Sequence, residues 1–188
     1  MNERRRGFSF LEYVVIIVVI AICILIAWPN IVRAKISSNQ KSAVSMLKTL
    51  AAANSIYMKN YKKFPDSLKQ VKNYLTNSEK EVVETRYGKP PPKGYYFVFN
   101  IYQPYLRFLI FAVPEKYNET GCLSFVVNER GEVFEAEITD LSQEKIKWFE
   151  RNDFGENGKA IWKQEGENRL KIGDFEQKWQ RTLVDDSP

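Results

Sequence analysis

MNERRRGFSFLEYVVIIVVI, residues 1–20, sets three arginines and a glycine ahead of an apolar run and places one glutamate, Glu12, inside that run. From Phe8 to Trp28 the 21 residues carry no other charge. As a helix rising about 1.5 Å per residue they reach about 31 Å, the thickness of a bilayer core, so the segment is predicted to span a membrane. Ala27-Trp28-Pro29-Asn30 lacks the small-residue pattern of an ordinary secretory cleavage site, and cleavage on that side is not expected. A carboxylate well inside hydrocarbon costs on the order of 3 kcal/mol even on lenient insertion scales. A plain anchor would gain by losing Glu12, so its presence asks for a compensating charge.

Past Pro29 the pattern stays helical. Val32, Ile36, Ala43, Met46, Leu47, Leu50, Tyr57 and Tyr61 fall on one side, and Arg33, Lys41, Lys48 and Lys59 gather roughly opposite. Pro29 lacks an amide proton and is expected to bend or locally open this helix. Phe64-Pro65 stops it, and Asp66 or Ser67 is expected to cap a shorter helix reaching about Tyr74. Gly88 to Gly94, rich in proline, reads as a stiff exposed linker. Four strand signals follow at residues 95–99, 106–113, 122–127 and 132–138, with Asn128-Glu129-Arg130-Gly131 as the turn between the last two. In the last of them Phe134, Ala136 and Ile138 alternate with Val133, Glu135 and Glu137, which predicts one wet face. A further helix is expected from Asp140. Beyond Asn152 no period is firm, and residues 174–183 read as helix or as irregular chain.

The expected fold class is α+β, with a long N-terminal helix, transmembrane then amphipathic, packed on a small antiparallel sheet of about four strands. The expected organisation is leader 1–7, spanning half-helix 8–28, amphipathic half-helix 29–61, head 62–138 and a helical or irregular extension 139–188.

Between residues 30 and 75 nine Lys/Arg face the single acid Asp66, whereas residues 115–188 hold seventeen Asp/Glu against eleven Lys/Arg. The stem is basic and the end acidic. There is no histidine, which removes imidazole metal sites and the usual general base near neutral pH. Cys122 therefore has no obvious base to make it a nucleophile, and with Cys23 in the apolar run the two cysteines have no metal-ligand spacing. An enzyme is not expected, nor is a cofactor. Asp153, Glu156 and Asn157 lie in an oxygen-rich cluster that could be asked to hold calcium, but the spacing matches no EF-hand and a solvated turn is the preferred reading. Tyr95, Tyr96, Phe97, Phe99, Tyr102, Tyr105, Phe108 and Phe111 could form a stacking platform for DNA beside the lysines, yet aromatics at strand spacing are more often core.

The RRRG-FSFLE junction at residues 4–12 resembles the class III signal of type IV pilins and of the pseudopilins of type II secretion. Pro29 falls where many pilins have a stem proline, and NYKKFPDSL, GYYF, FAVP, TGCLSF and RGEVF are similar to pilin-like strings, so the resemblance covers about residues 1–138. It implies cleavage after Gly7 by a prepilin peptidase and methylation of the new amino terminus at Phe8. It also implies that Glu12 pairs with the amine of a neighbouring subunit during assembly.

By the same resemblance the chain is a structural subunit of a pilus-like or secretion-like filament. Such a subunit is held in the bacterial inner membrane with its N-terminus cytoplasmic, then moved into a periplasmic or extracellular fibre. The implied partners are other copies and related pilins, the peptidase, a membrane assembly platform with its ATPase, and the lipid bilayer. Arg33, Lys41, Lys48 and Lys59 are candidate contacts to another subunit, with DNA the less favoured partner. The alternatives are an uncleaved, signal-anchored periplasmic binding module and a DNA-binding competence pilin.

Overall fold

The protein was analysed as a computed structural model, which describes residues 10–84, 91–103, 107–138, 162–164, 169–172 and 179–181. It divides into two compact units, Met1–Lys35 and Ile36–Pro188. Helix α1, Phe10–Tyr61, contributes to both. No glycine interrupts it, and alanines and leucines of high helical propensity fill its later turns. Of the two effects expected at Pro29, local opening does not occur: the helical assignment runs through it. Proline removes one intrahelical bond and leaves the others, and one turn earlier the Ile26 carbonyl also accepts from the Asn30 side chain at 3.4 Å.

In the second unit, α1 buries Ile36, Ala43, Val44, Met46, Leu47, Leu50, Ala51, Ala53, Asn54 and Tyr57. Tyr61, expected on this face, is exposed and lies against the ring of Tyr57 at 4.4 Å. The helix ends when Lys62 turns left-handed (φ 60°) and its N–H caps the Met58 carbonyl at 2.8 Å. Phe64 then enters the core edge-on to Phe108 at 4.9 Å. The expected short helix is a 3-10 segment, Leu68–Tyr74, and no side chain of Ser67 caps it. Instead the Gln70 side chain reaches back to accept from the Asp66 N–H at 2.9 Å. Helix α2, Asn77–Glu84, was not anticipated. Its signal is Thr76-x-x-Glu79, half of a capping box: Glu79 accepts from the Thr76 N–H at 2.7 Å. Of the proline linker, Pro91 is buried rather than exposed.

The strands are β1 (Tyr95–Gln103), β2 (Arg107–Pro114), β3 (Ser124–Asn128), β4 (Val133–Ala136), β5 (Trp162–Gln164), β6 (Arg169–Ile172) and β7 (Trp179–Arg181). They form one antiparallel sheet in the order β1-β2-β3-β4-β7-β6-β5. Among the described residues the sheet thus has seven strands where about four were expected. Within residues 174–183, read as helix or irregular chain, Trp179–Arg181 is strand β7, which adds to the open edge of β4 with Phe134 opposite Arg181. An unpaired edge offers a row of backbone donors and acceptors, and satisfying them outweighs a weak local helical preference. The helix expected from Asp140 lies outside the described residues.

Tyr95, Phe108, Ile110, Ala112, Phe125, Val127 and Val133 form one cluster with the buried side of α1. Alternation sends Tyr96, Val98, Leu109, Phe111, Val113, Val126, Phe134 and Ala136 to the opposite face, and they are buried as well. Both faces of these strands are therefore buried, and at β4 the expected sides are exchanged: Val133, placed with the wet set, joins the cluster on α1, Phe134 and Ala136 lie on the other side, and Glu137 is exposed as expected. Trp179 of β7 is fully buried, its ring edge-on to Phe111 at 6.0 Å. In a flat sheet β2 and β7 would stand about 14 Å apart, so the sheet coils to bring these rings together.

The β3–β4 turn follows the sequence expectation. Gly131 takes φ +77° and the Asn128 carboxamide oxygen accepts from the N–H groups of Arg130 and Glu132 at 3.0 and 2.9 Å. Glu129 here has a buried carboxylate oxygen without a partner, and burial, opposed by Arg107 and Arg130, raises its affinity for a proton.

Two stability measurements check these assignments. Trp179→Ala should lower unfolding stability by about 3–5 kcal/mol, while Gln180→Ala beside it, exposed, should stay within about 0.5 kcal/mol. Equal effects would contradict closure of the second face by β7. For Glu129 the folded chain holds the proton more tightly than the unfolded chain, so ionisation weakens the fold as pH rises through and above the usual carboxylate range. Glu129→Gln should stabilise at neutral pH, with the gain vanishing in acid. A gain independent of pH would contradict the burial account.

Candidate functional site

Residues 10–35 of α1 are exposed at nearly every position, including Phe10 (84%), Leu25 (75%) and Trp28 (66%). An 18-residue window within α1 has mean hydropathy 3.1 and is 0% buried, so this helix is long and apolar enough to cross a membrane. Glu12 lies in its first turn, where a carboxylate is favoured by the helix dipole. Cys23 is exposed in the same stretch.

Gly7 and Phe8 lie outside the described residues, as do Asp153, Glu156, Asn157 and Tyr105. Among the described residues no three His, Cys, Asp or Glu side chains come together as metal ligands. Arg33, Lys41, Lys48 and Lys59 are all exposed, as the helical pattern predicted. In the second unit the exposed line runs Ser38, Lys41, Ser45, Lys48, Ala52, Ser55, Lys59, on the side away from Leu47 and Leu50. The aromatic platform is not presented to solvent: Tyr95, Tyr96, Phe108 and Phe111 are buried, and Phe97 and Phe99 pack half-buried against the core.

A latch that the sequence reading missed joins the β2–β3 loop, residues 115–123, to the helix. The Asn39 side chain donates to the Thr120 carbonyl at 2.9 Å. With its amide oxygen turned to the loop, Gln40 accepts from the N–H groups of Cys122 and Leu123 at 3.3 and 3.2 Å. Tyr95 donates its hydroxyl to the Leu123 carbonyl at 2.8 Å, and burial, then the neighbouring Cys122, pushes that hydroxyl's pKa well above the usual value. A side chain at Gly121 would put its Cβ 2.0 Å from the Tyr95 hydroxyl oxygen, so only glycine fits there. This also corrects the expected strand start: residues 122–123 belong to the latched loop and β3 begins at Ser124. The signal in the sequence was a pair of amides, Asn39-Gln40, at the edge of an otherwise apolar helix face.

Beyond the latch, Tyr117 donates to Glu137, a bond that raises the tyrosine's pKa, and the Cys122 thiol points to the Asn118 carboxamide oxygen at 3.3 Å. Lys116 and Glu119 form an exposed ion pair at 3.5 Å. The loop therefore presents a polar, mostly acidic rim beside the start of the buried helix face.

A family model described as a protein of unknown function (DUF2950) matches residues 85–163, less than half of the chain. The match takes in β1 to β4 and leaves α1 outside it. No curated protein and no solved structure matches the chain.

The latch makes a specific demand on two glycines. Gly121→Ala should destabilise the fold by about 1–3 kcal/mol and speed amide exchange across residues 115–123. Gly131→Ala, with φ +77° but open space around it, should cost about 1–2 kcal/mol and leave that loop's exchange unchanged. Identical exchange profiles in the two variants would contradict the latch.

Proposed function

We propose that this chain is a structural subunit of a membrane-derived, pilus-like or secretion-like filament. The observation that carries the reading is α1 itself. Its first part is apolar and exposed, suited to lipid or to a bundle of like helices, and its later part buries one face against the sheet of its own head. Such a helix can leave lipid without meeting water only if other apolar helices receive it. Glu12 then has a task. A charge pair in dry surroundings adds little net stability, yet it penalises any register that separates the partners, so it works as an alignment device.

The RRRG-FSFLE junction supplies the countercharge. Cleavage after Gly7 would create a cationic amine on Phe8, one helical turn before Glu12. The leader remains in the cytoplasm while the head lies beyond the inner membrane. In the head, Trp179 of β7 is buried against Phe111 on the sheet face away from α1.

Mass spectrometry of the chain from peptidase-competent cells should find residues 1–7 removed and one methyl group added at Phe8. Retention of the leader there would favour the anchored binding module. Glu12→Ala should still be cleaved but lose fibre assembly by at least tenfold, read by shearing and immunodetection. Unchanged fibre yield would overturn the role given to Glu12.

A further inference from the structure

The lysines on the exposed side of α1 fall on one line. At about 100° per residue, Lys41, Lys48 and Lys59 lie within about 20° of one another, and Lys41 to Lys59 spans about 27 Å. The positions beside them are small, Ser38, Ser45, Ala52 and Ser55, and all are exposed. From Tyr13 to Pro65 the chain has no Asp or Glu at all. The row is thus a cationic track flanked mostly by small residues, with exposed Ile56 beside its C-terminal end.

The latched rim has the opposite sign. Exposed Glu137 accepts from the Tyr117 hydroxyl, and exposed Glu119 lies in the same loop, paired with Lys116 at 3.5 Å, while Glu115 stands at the loop's start beside the Gly94 carbonyl. Asn39 and Gln40 hold the loop at a fixed height on the chain's own helix.

We propose that the acidic rim of one copy docks on the lysine row of the next. This rests on the filament reading above and assigns that reading a specific contact. Row and rim are different patches, so each copy offers one of each and the contact is head to tail; an axial displacement at every step makes it propagate as a helix and not close into a ring. The rim stands level with Gln40 of its own helix. Seated on the middle of a neighbour's row, at Lys48, it displaces the copies by eight residues, about 12 Å along the helix axis. Single exposed charge pairs are weak and screened by salt, so the contact sets register and partner choice and should loosen as ionic strength rises.

The native Cys122 sits in the rim loop and gives a direct test. In full-length chain carrying Cys23→Ala, expressed in cells that assemble it, Ser45→Cys places a second thiol on the lysine row. Mild oxidation should then produce a ladder that continues past the dimer. Adding Cys122→Ser should limit products to dimers. Lys41→Glu with Lys48→Glu should cut the ladder at least tenfold, and Glu119→Lys with Glu137→Lys added to that pair should restore it, which a misfolded head could not do.

No ladder, or a ladder that stops at dimers with Cys122 present, overturns the docking. If a photo-activated crosslinker still captures multimers in that case, the docking alone is lost; a chain that stays monomeric removes the filament reading as well. DNA retained by the full chain through Lys41 and Lys48, with no ladder, also overturns the docking and gives the row to a polyanion.

Discussion

The contact on which the second unit depends is the burial of one face of α1 against the first layer of strands. Leu47 and Leu50 are excluded from water, and so are Phe108, Ile110 and Val127 across from them. Each such side chain contributes about 1.5–3 kcal/mol on leaving water. With that side of the helix committed inward, the other side carries mostly small residues and lysines, with Ile56 the large apolar exception. The asymmetry that gives α1 its exposed cationic track is therefore a consequence of how the core is filled.

The head departs from a simple helix-on-sheet sandwich in having two dry faces. A sheet with one side on a helix usually wets the other. Here Leu109, Phe111, Val126 and Phe134 are buried too, and Trp179 arrives from the far end of the chain to lie against Phe111. Closing this face makes the last strands part of the same compact unit as the helix and the first four strands. It leaves polar loose ends: the Ser124 hydroxyl and the Trp179 indole nitrogen are buried without partners. Each such group weakens the layer it sits in.

Where periodicity is long, the sequence was sufficient. Fifty-two residues of α1 and the first four strands follow from apolar spacing, and the β3–β4 turn follows from Asn128 and Gly131. The exposed positions of Arg33, Lys41, Lys48 and Lys59 came from the same arithmetic. What could not be read depends on partners distant in sequence. Trp179-Gln180-Arg181 lies among residues that suit a helix, and only the open edge of β4 makes it a strand. Glu135 and Glu137 suggested water along one side of β4, which holds at exposed Glu137 but not at Val133, buried on the same side against the core that α1 shares. The latch needed Asn39 and Gln40 to meet a loop some 80 residues away, a separation of 81 for Asn39 and Thr120.

Cryo-electron microscopy of fibres sheared from cells that express this chain tests the central claim most directly. The account predicts a helical assembly whose dry centre is built from residues 10–28 of many copies, with the heads outside and Phe8 as the first residue. Fibres lacking this polypeptide, or the chain found only as isolated membrane-bound molecules that keep residues 1–7, would contradict it.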